Sequence, residues 1–209
     1  MSKNDANWMY ADDFAAETAP IHRARELSRE YGIDAISSAV GSQLAVLSAS
    51  IRAEQIIEIG TGLGVSGLWL LRGSPEAHLT SIDAEYEYHE HAKTLFEEAG
   101  VHHTHLRLIT GSSSEILPRM NENTYDIVLI DADPVLLLEN VEHALRLVRV
   151  GGLIVVAHAL WHGEVADPSQ RGPIPSAFRS VLTLVSESDA VLAALSPAGD
   201  GLLQLVRVS

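Results

Sequence analysis

Glu58, Asp83, Asp131 and Asp133 each stand at or just past the end of a short apolar run, and Glu58 opens the glycine-rich stretch Glu58-Ile-Gly-Thr-Gly-Leu-Gly64. Ionised carboxylates only accept hydrogen bonds, so they suit ligands that donate them. Glycines tolerate positive φ and leave no Cβ between backbone and ligand. Asp83 lies 19 positions past Gly64, about where an acid must stand to accept from both hydroxyls of a ribose. Any one of these acids reads equally well as a turn residue or a cap. Four at corresponding strand ends, around a glycine-rich turn, point to one ligand crevice. Ser113, in the polar turn Gly111-Ser-Ser-Ser114, stands where it could reach the edge of a nucleobase, or simply cap a helix. His158 follows a further apolar run and offers an imidazole, the side chain that gains and loses a proton near neutrality.

The elements that must position these groups alternate in type. Gln55–Ile59 reads as a strand and Val65–Leu71 as a helix, so the glycines form a strand-to-helix turn whose helix offers free N–H groups. Two ligand classes use such a turn. Gly62-Leu-Gly-Val-Ser-Gly67 matches the G-x-G-x-x-G dinucleotide pattern, whereas Gly60-x-Gly62-x-Gly64 after an acidic strand residue fits an S-adenosylmethionine (SAM) loop. A tight turn without a ligand is the third possibility. Strands are expected at His78–Asp83, Leu106–Thr110, Tyr125–Asp131 and Gly151–Ala157, with helices over Glu85–Gly100 and around Leu138, Val141, Leu145 and Val148. This alternation implies a parallel sheet with helices on both faces. Ligands then bind beyond the carboxyl ends of the strands, where the acids collect. The chain ends differently. Gly163–Ser176 reads as a loop, Ala177–Ser186 as a helix, and Val191–Leu195 and Leu202–Val208 as strands joined by a linker short enough for an antiparallel hairpin. A dinucleotide domain would continue with another parallel unit instead.

Ahead of the alternation, residues 5 to about 52 read as helical in three pieces, one of them spanning Ser37–Ile51. Trp8, Met9 and Phe14 are expected to pack on their own domain, with a cover over the site or a partner subunit as alternatives. At 209 residues the chain suits one α/β domain, 1–209, with 1–52 as a helical cover and 53–209 as the core. The balance of 14 Lys and Arg against 28 Asp and Glu, −14, argues against nucleic acid and against anionic membrane as partners. Without cysteine there is no disulfide, thiolate nucleophile or Cys-based metal site. The N-terminus has no apolar leader segment and no run approaches a membrane span, so a cytoplasmic protein is expected.

Ile56 to Leu71, Thr80-Ser-Ile-Asp-Ala84, Ile130-Asp-Ala-Asp-Pro134 and Gly151-Gly-Leu-Ile-Val-Val156 together resemble the SAM-dependent O-methyltransferases of the catechol and caffeoyl-CoA type. Within that family the chain looks closest to an actinobacterial branch that also carries Ile-Asp-Ala-Asp-Pro and a long loop after strand five. The resemblance runs from about Ile36 to Trp161. It implies a class I methyltransferase Rossmann-like fold: a mostly parallel seven-stranded sheet with a C-terminal antiparallel hairpin and N-terminal helices. It also implies SAM as cofactor, a small-molecule acceptor and a homodimer. Carried over residue by residue, Ile36 covers the methionine end of SAM. Glu58, Gly60, Thr61 and Ser66 surround the methionine moiety, Asp83 binds the ribose with Ala84 beside it, and Ser113 contacts adenine. Asp131 lies between SAM and the acceptor.

The acceptor side departs from the family. Metal-dependent members have lysine where this chain has Pro134, and Asp-Asn, two metal ligands, where it has Ala157 and His158. Alanine has no ligand atom, and imidazole suits Mg²⁺ poorly. The expectation is therefore no metal, with Asp131 and His158 as the catalytic pair and His158 as general base. Alternatively, His158 hydrogen-bonds a loop carbonyl, or a softer metal sits on Asp131 and His158 with His162. The Gly163–Ser176 loop is expected to be mobile and to close over the site. Two other functions stay open: a SAM-binding sensor or partner subunit without catalysis, and a nicotinamide-dependent oxidoreductase. Binding of SAM against NAD, and turnover of labelled SAM, separate the three.

Overall fold

The structure, a computed structural model, describes the backbone of residues 3–209 and the side chains from residue 6 onward. Met1 and Ser2, part of the expected cover and of the terminus read as carrying no leader, lie outside the described residues. Three helices come first: α1 (Lys3–Phe14), α2 (Ala19–Glu30) and α3 (Ser38–Ser50). Pro20 sits in the first turn of α2, where no backbone N–H is needed, and the Ser37 side chain accepts from Val40 N to cap α3.

The alternation follows as β1 (Gln55–Ile59), α4 (Val65–Gly73), β2 (His78–Asp83), α5 (Tyr86–Glu98), β3 (Leu106–Thr110), α6 (Ser113–Ile116), β4 (Tyr125–Ile130), α7 (Leu137–Leu147) and β5 (Val148–Val156). The chain closes with α8 (Pro173–Ser186), β6 (Val191–Ser196) and β7 (Leu202–Arg207). The sheet order is β3-β2-β1-β4-β5-β7-β6, with β7 antiparallel to both neighbours and all other pairs parallel. The expected seven strands and terminal hairpin are present. The further parallel unit of a dinucleotide domain is not.

Side chains alternate across the sheet and feed two cores. Ile56, Leu79 and Ile127 join Leu44, Trp69 and Phe96 on one face, while Ile57, Val128 and Ile154 join Val141, Val181 and Phe178 on the other. The register then places function. Ile59 pairs with both Ile82 and Ile130, and Ile130 with Val156, so Gly60, Asp83, Asp131 and Ala157 emerge side by side at one edge.

Two expectations need correction. The Gly163–Ser176 segment is not all loop, because α8 begins at Pro173; two of the three prolines that read as loop formers, Pro173 and Pro175, occupy its first turn. The remainder is held by Arg179, whose guanidinium donates to the carbonyls of Glu164, Val165, Asp167 and Gln170 at 2.6–3.0 Å. Met9 and Phe14, expected to pack on their own domain, are 56% and 83% exposed on α1, and Tyr10 beside them is 75% exposed. Among the described residues no helix is long and apolar enough to cross a membrane.

Candidate active site

Beneath the glycine-rich turn lies a chain of buried polar groups. Glu58 is fully buried; Ser66 donates to one carboxylate oxygen at 2.6 Å and Ser81 to the other at 2.5 Å. Ser81 and Thr61 share a hydrogen bond of 2.6 Å, Thr61 reaches His89 Nε2 at 2.9 Å, and His89 Nδ1 reaches Thr110 at 2.9 Å. Burial pushes the Glu58 carboxyl up to about 7, against the two serine hydroxyls that favour its ionised form. Burial lowers the His89 imidazole, against the pull of Asp83. The hydroxyls of Thr61 and Ser66, carried over as ligand contacts, are thus turned inward. Those two residues line a cavity while their hydroxyls brace the turn from below.

The turn itself is pinned on both sides. Gly60 N donates to Ile82 O at 2.8 Å, and a Cβ on Gly60 would lie 1.8 Å from the Asp131 carbonyl oxygen, so only glycine lets this backbone pass the end of β4. Asp83 accepts from Gly62 N at 2.9 Å and Glu85 N at 3.0 Å. A carboxylate has about four acceptor positions, so two remain for a ligand. Ala84 is exposed beside it, and Ser113 is buried in the first turn of α6.

Two cavities meet at Asp34 and Asp131. The smaller, about 60 Å³, is a slot lined by Ile36, Gly60, Thr61, Gly62 and Ser66 among others. A Cβ on Gly62 would meet only Ile33, which lines the same slot, so the missing side chain leaves the space open. The larger, about 220 Å³, is lined by Asp34, Asp131, Asp133, His158, Trp161, His162, Phe178 and a floor of apolar side chains. Trp161 stacks on Phe178 at 5.6 Å between ring centroids. Among the described residues no lysine or arginine lines it. Burial raises the Asp131 carboxyl, against the lowering effect of His158 3.5 Å away. Both ring nitrogens of His158 are buried without a hydrogen-bond partner, so the loop-carbonyl alternative is not what the structure has.

Metal donors are few. Asp133 is exposed and its side chain accepts from Val135 N, and Ala157 offers nothing. Among the described residues no three His, Asp or Glu side chains converge as a metal site. This donor set does not fit a Mg²⁺ ion, which needs near-octahedral oxygen coordination.

The sequence profile of the O-methyltransferase family matches residues 22–208. This chain belongs to that family. A Mycobacterium leprae chain carrying the provisional name O-methyltransferase is 41% identical over 207 residues, covering 99% of this chain and 92% of its own length. The crystal structure of a Corynebacterium glutamicum protein superposes with a TM-score of 0.91 at 28% identity, over 100% of this chain and 98% of the other. The O-methyltransferase TomG of Streptomyces achromogenes, involved in tomaymycin synthesis and solved in complex with SAM, gives 0.88 at 25% identity, with both chains covered completely. The fold is the class I Rossmann-like methyltransferase fold, as the glycine turn and terminal hairpin implied. In this O-methyltransferase the structure brings together Ile36, Glu58, Gly60, Thr61, Ser66, Asp83 and Asp131 around one turn, with His158 across the larger cavity and Ser113 at the start of α6. Sequence reasoning missed Asp34 and Asp200. Asp34 stands two residues before Ile36, which was a usable signal. Asp200 lies in Gly199-Asp-Gly201, which reads only as a hairpin turn; the β5–β7 pairing alone brings it to His158.

Proposed function

We propose that this O-methyltransferase moves the methyl group of SAM to a hydroxyl of a small-molecule acceptor, and does so without a divalent cation. When bound, SAM supplies a methyl group on a positively charged sulfur, open to attack by an oxygen nucleophile. We assign the slot beside Ile36, Gly60, Thr61 and Ser66 to its methionine end. Glu58 acts on that slot through Ser66 and Ser81. Asp83, with Ala84 beside it, takes the ribose hydroxyls, and Ser113 lies toward the adenine. The segment ahead of residue 53 serves as a cover, since Asp34 and Ile36, in the α2–α3 connector, line the slot.

The larger cavity holds the acceptor. Three aspartates and, among the described residues, no lysine or arginine line it, which favours neutral or cationic acceptors over carboxylates and phosphates. Trp161 offers its ring as a stacking surface. His158 takes the proton of the acceptor hydroxyl at Nε2. That oxygen would then take the methyl group that bound SAM supplies, leaving S-adenosylhomocysteine, and His158 would pass its proton to water. Asp131, 3.5 Å from Nε2, stabilises the imidazolium in between. The observation that carries this assignment is a histidine with two unpartnered, buried ring nitrogens on the larger cavity, 3.5 Å from the Asp131 that borders both cavities. We further read the protein as a cytoplasmic homodimer; the exposed Met9, Tyr10 and Phe14 on α1 support a partner surface. The test is incubation with methyl-labelled SAM and a panel of phenolic and hydroxy compounds. Label should appear as a methoxy product and be lost in His158→Ala; undiminished transfer in that variant would remove His158 as the base.

A further inference from the structure

The turn that carries His158 is held in a strained shape by the far end of the chain. His158, Trp161 and His162 all have φ between 42° and 53°, the left-handed region. Such a backbone is costly and persists only where its surroundings dictate it. The surroundings here are the β6–β7 linker. Gly201 O accepts from Ala159 N at 3.0 Å and Asp200 O from Leu160 N at 2.9 Å. The Asp200 carboxylate accepts from His162 N with both oxygens, at 2.7 and 2.8 Å. Gly201, at φ 90°, is pressed so close that a Cβ would lie 2.6 Å from Leu160 N.

The same carboxylate faces the histidine. Asp200 Oδ2 is 3.6 Å from His158 Nδ1, while Asp131 Oδ1 is 3.5 Å from Nε2 on the other side of the ring. Both contacts are just too long for hydrogen bonds, and both nitrogens lack any other partner. Such bonds commonly tighten only when a substrate is bound, and a ring shift well under an ångström closes this one. Asp200 cannot swing away, because the His162 N–H holds it. His162 Nδ1 is also 3.5 Å from Asp200 Oδ2, but that ring is 57% exposed and free to turn to solvent.

We infer that Asp200 is a positioning residue for His158: it holds the hydrogen on Nδ1 and so leaves the Nε2 lone pair on the side of Asp131, which lines the acceptor cavity. A carboxylate only accepts, so a nitrogen that faces one carries a proton. Asp131 faces Nε2 in the same way, but burial raises its carboxyl, so it is the acid that can keep a proton of its own, whereas Asp200 is fixed as an acceptor by the His162 N–H. This rests on His158 being the base proposed above, but its first test does not need turnover. In ¹⁵N–¹H correlation spectra of the imidazole rings, His158 of the native protein should be the Nδ1–H tautomer. In Asp200→Asn the amide oxygen can still accept from His162 N while its NH₂ faces Nδ1, so His158 should switch to Nε2–H. With SAM and an acceptor, that variant should lose on the order of 100-fold in kcat, with S-adenosylhomocysteine affinity and Tm unchanged. An Nε2–H tautomer in the native protein overturns the inference whether or not the variant folds. So does an Asp200→Asn enzyme with native kcat. A correct tautomer in a protein that transfers no methyl group would leave Asp200 as the positioning residue and count against the proposed reaction alone.

Discussion

Glu58 has no exposed surface, yet it is an acid, and its two serine partners do not offset its burial. In the fold it keeps its proton up to about pH 7; unfolded, it loses it near 4.5. Between those values the native state binds more protons, so stability falls as pH rises through this window, the reverse of a salt-bridged carboxylate. The contribution is about 3 kcal/mol at most. His89 slopes the other way, because burial lowers its imidazole and the unfolded chain then binds more protons. The difference between wild type and Glu58→Gln isolates the glutamate. Calorimetric Tm values from pH 5 to 8 should show wild type losing stability relative to the variant as pH rises; parallel curves would mean Glu58 is already ionised at pH 5. Asp83→Ala should weaken S-adenosylhomocysteine by about 2–3 kcal/mol through loss of charge-assisted hydrogen bonds. It also frees the Gly62 N–H that steadies the turn. Unchanged affinity in a calorimetric titration would remove Asp83 from the site. At this scale residue type and spacing were informative for Asp83 and Gly60. They were not for the direction of the Thr61 and Ser66 hydroxyls, because spacing marks a polar turn but not which hydroxyls face the ligand and which face the core.

The strand-to-helix units were legible because their apolar periods and glycine stops are local. What joins them at the site is not. The Gly163–Ser176 segment reads as a mobile lid from its glycines, prolines and polar residues, yet one side chain from α8 satisfies four carbonyls of its connector part, Glu164–Gly172. Nothing near Arg179 in sequence announces that, since its partners lie 9 to 15 positions back. We therefore expect the connector to resist limited proteolysis with and without SAM and acceptor, and Arg179→Ala to speed cleavage between Glu164 and Arg171 at least several-fold, since the freed carbonyls must turn to water. Equal cleavage of wild type and variant would show that Arg179 does not hold it. The β6–β7 linker is the second such element. Its composition describes a turn, and only the antiparallel return of β7 beside β5 sets Asp200 against the His158 turn.

Across the whole molecule, the parallel register lines up the carboxyl ends of β1, β2, β4 and β5, and the antiparallel hairpin extends the sheet beyond β5. The slot proposed for the cofactor lies over the glycine turn, and that turn was legible early because its glycines and acids are bound to local geometry. The cavity proposed for the acceptor is assembled from the α2–α3 connector, the β4 and β5 ends, the turn after β5 and α8, which explains why no single stretch describes it. Its chemistry departs from that of metal-dependent relatives at Pro134, Ala157 and His158, and on that departure rests the central claim of methyl transfer driven by a histidine rather than a cation. The direct measurement is the rate of label transfer from methyl-labelled SAM to an accepted hydroxy compound, first in EDTA and then with Mg²⁺, Mn²⁺ or Zn²⁺ restored. The rate should be the same in EDTA as with any of the three ions. Transfer abolished by EDTA and restored by one of them would contradict it.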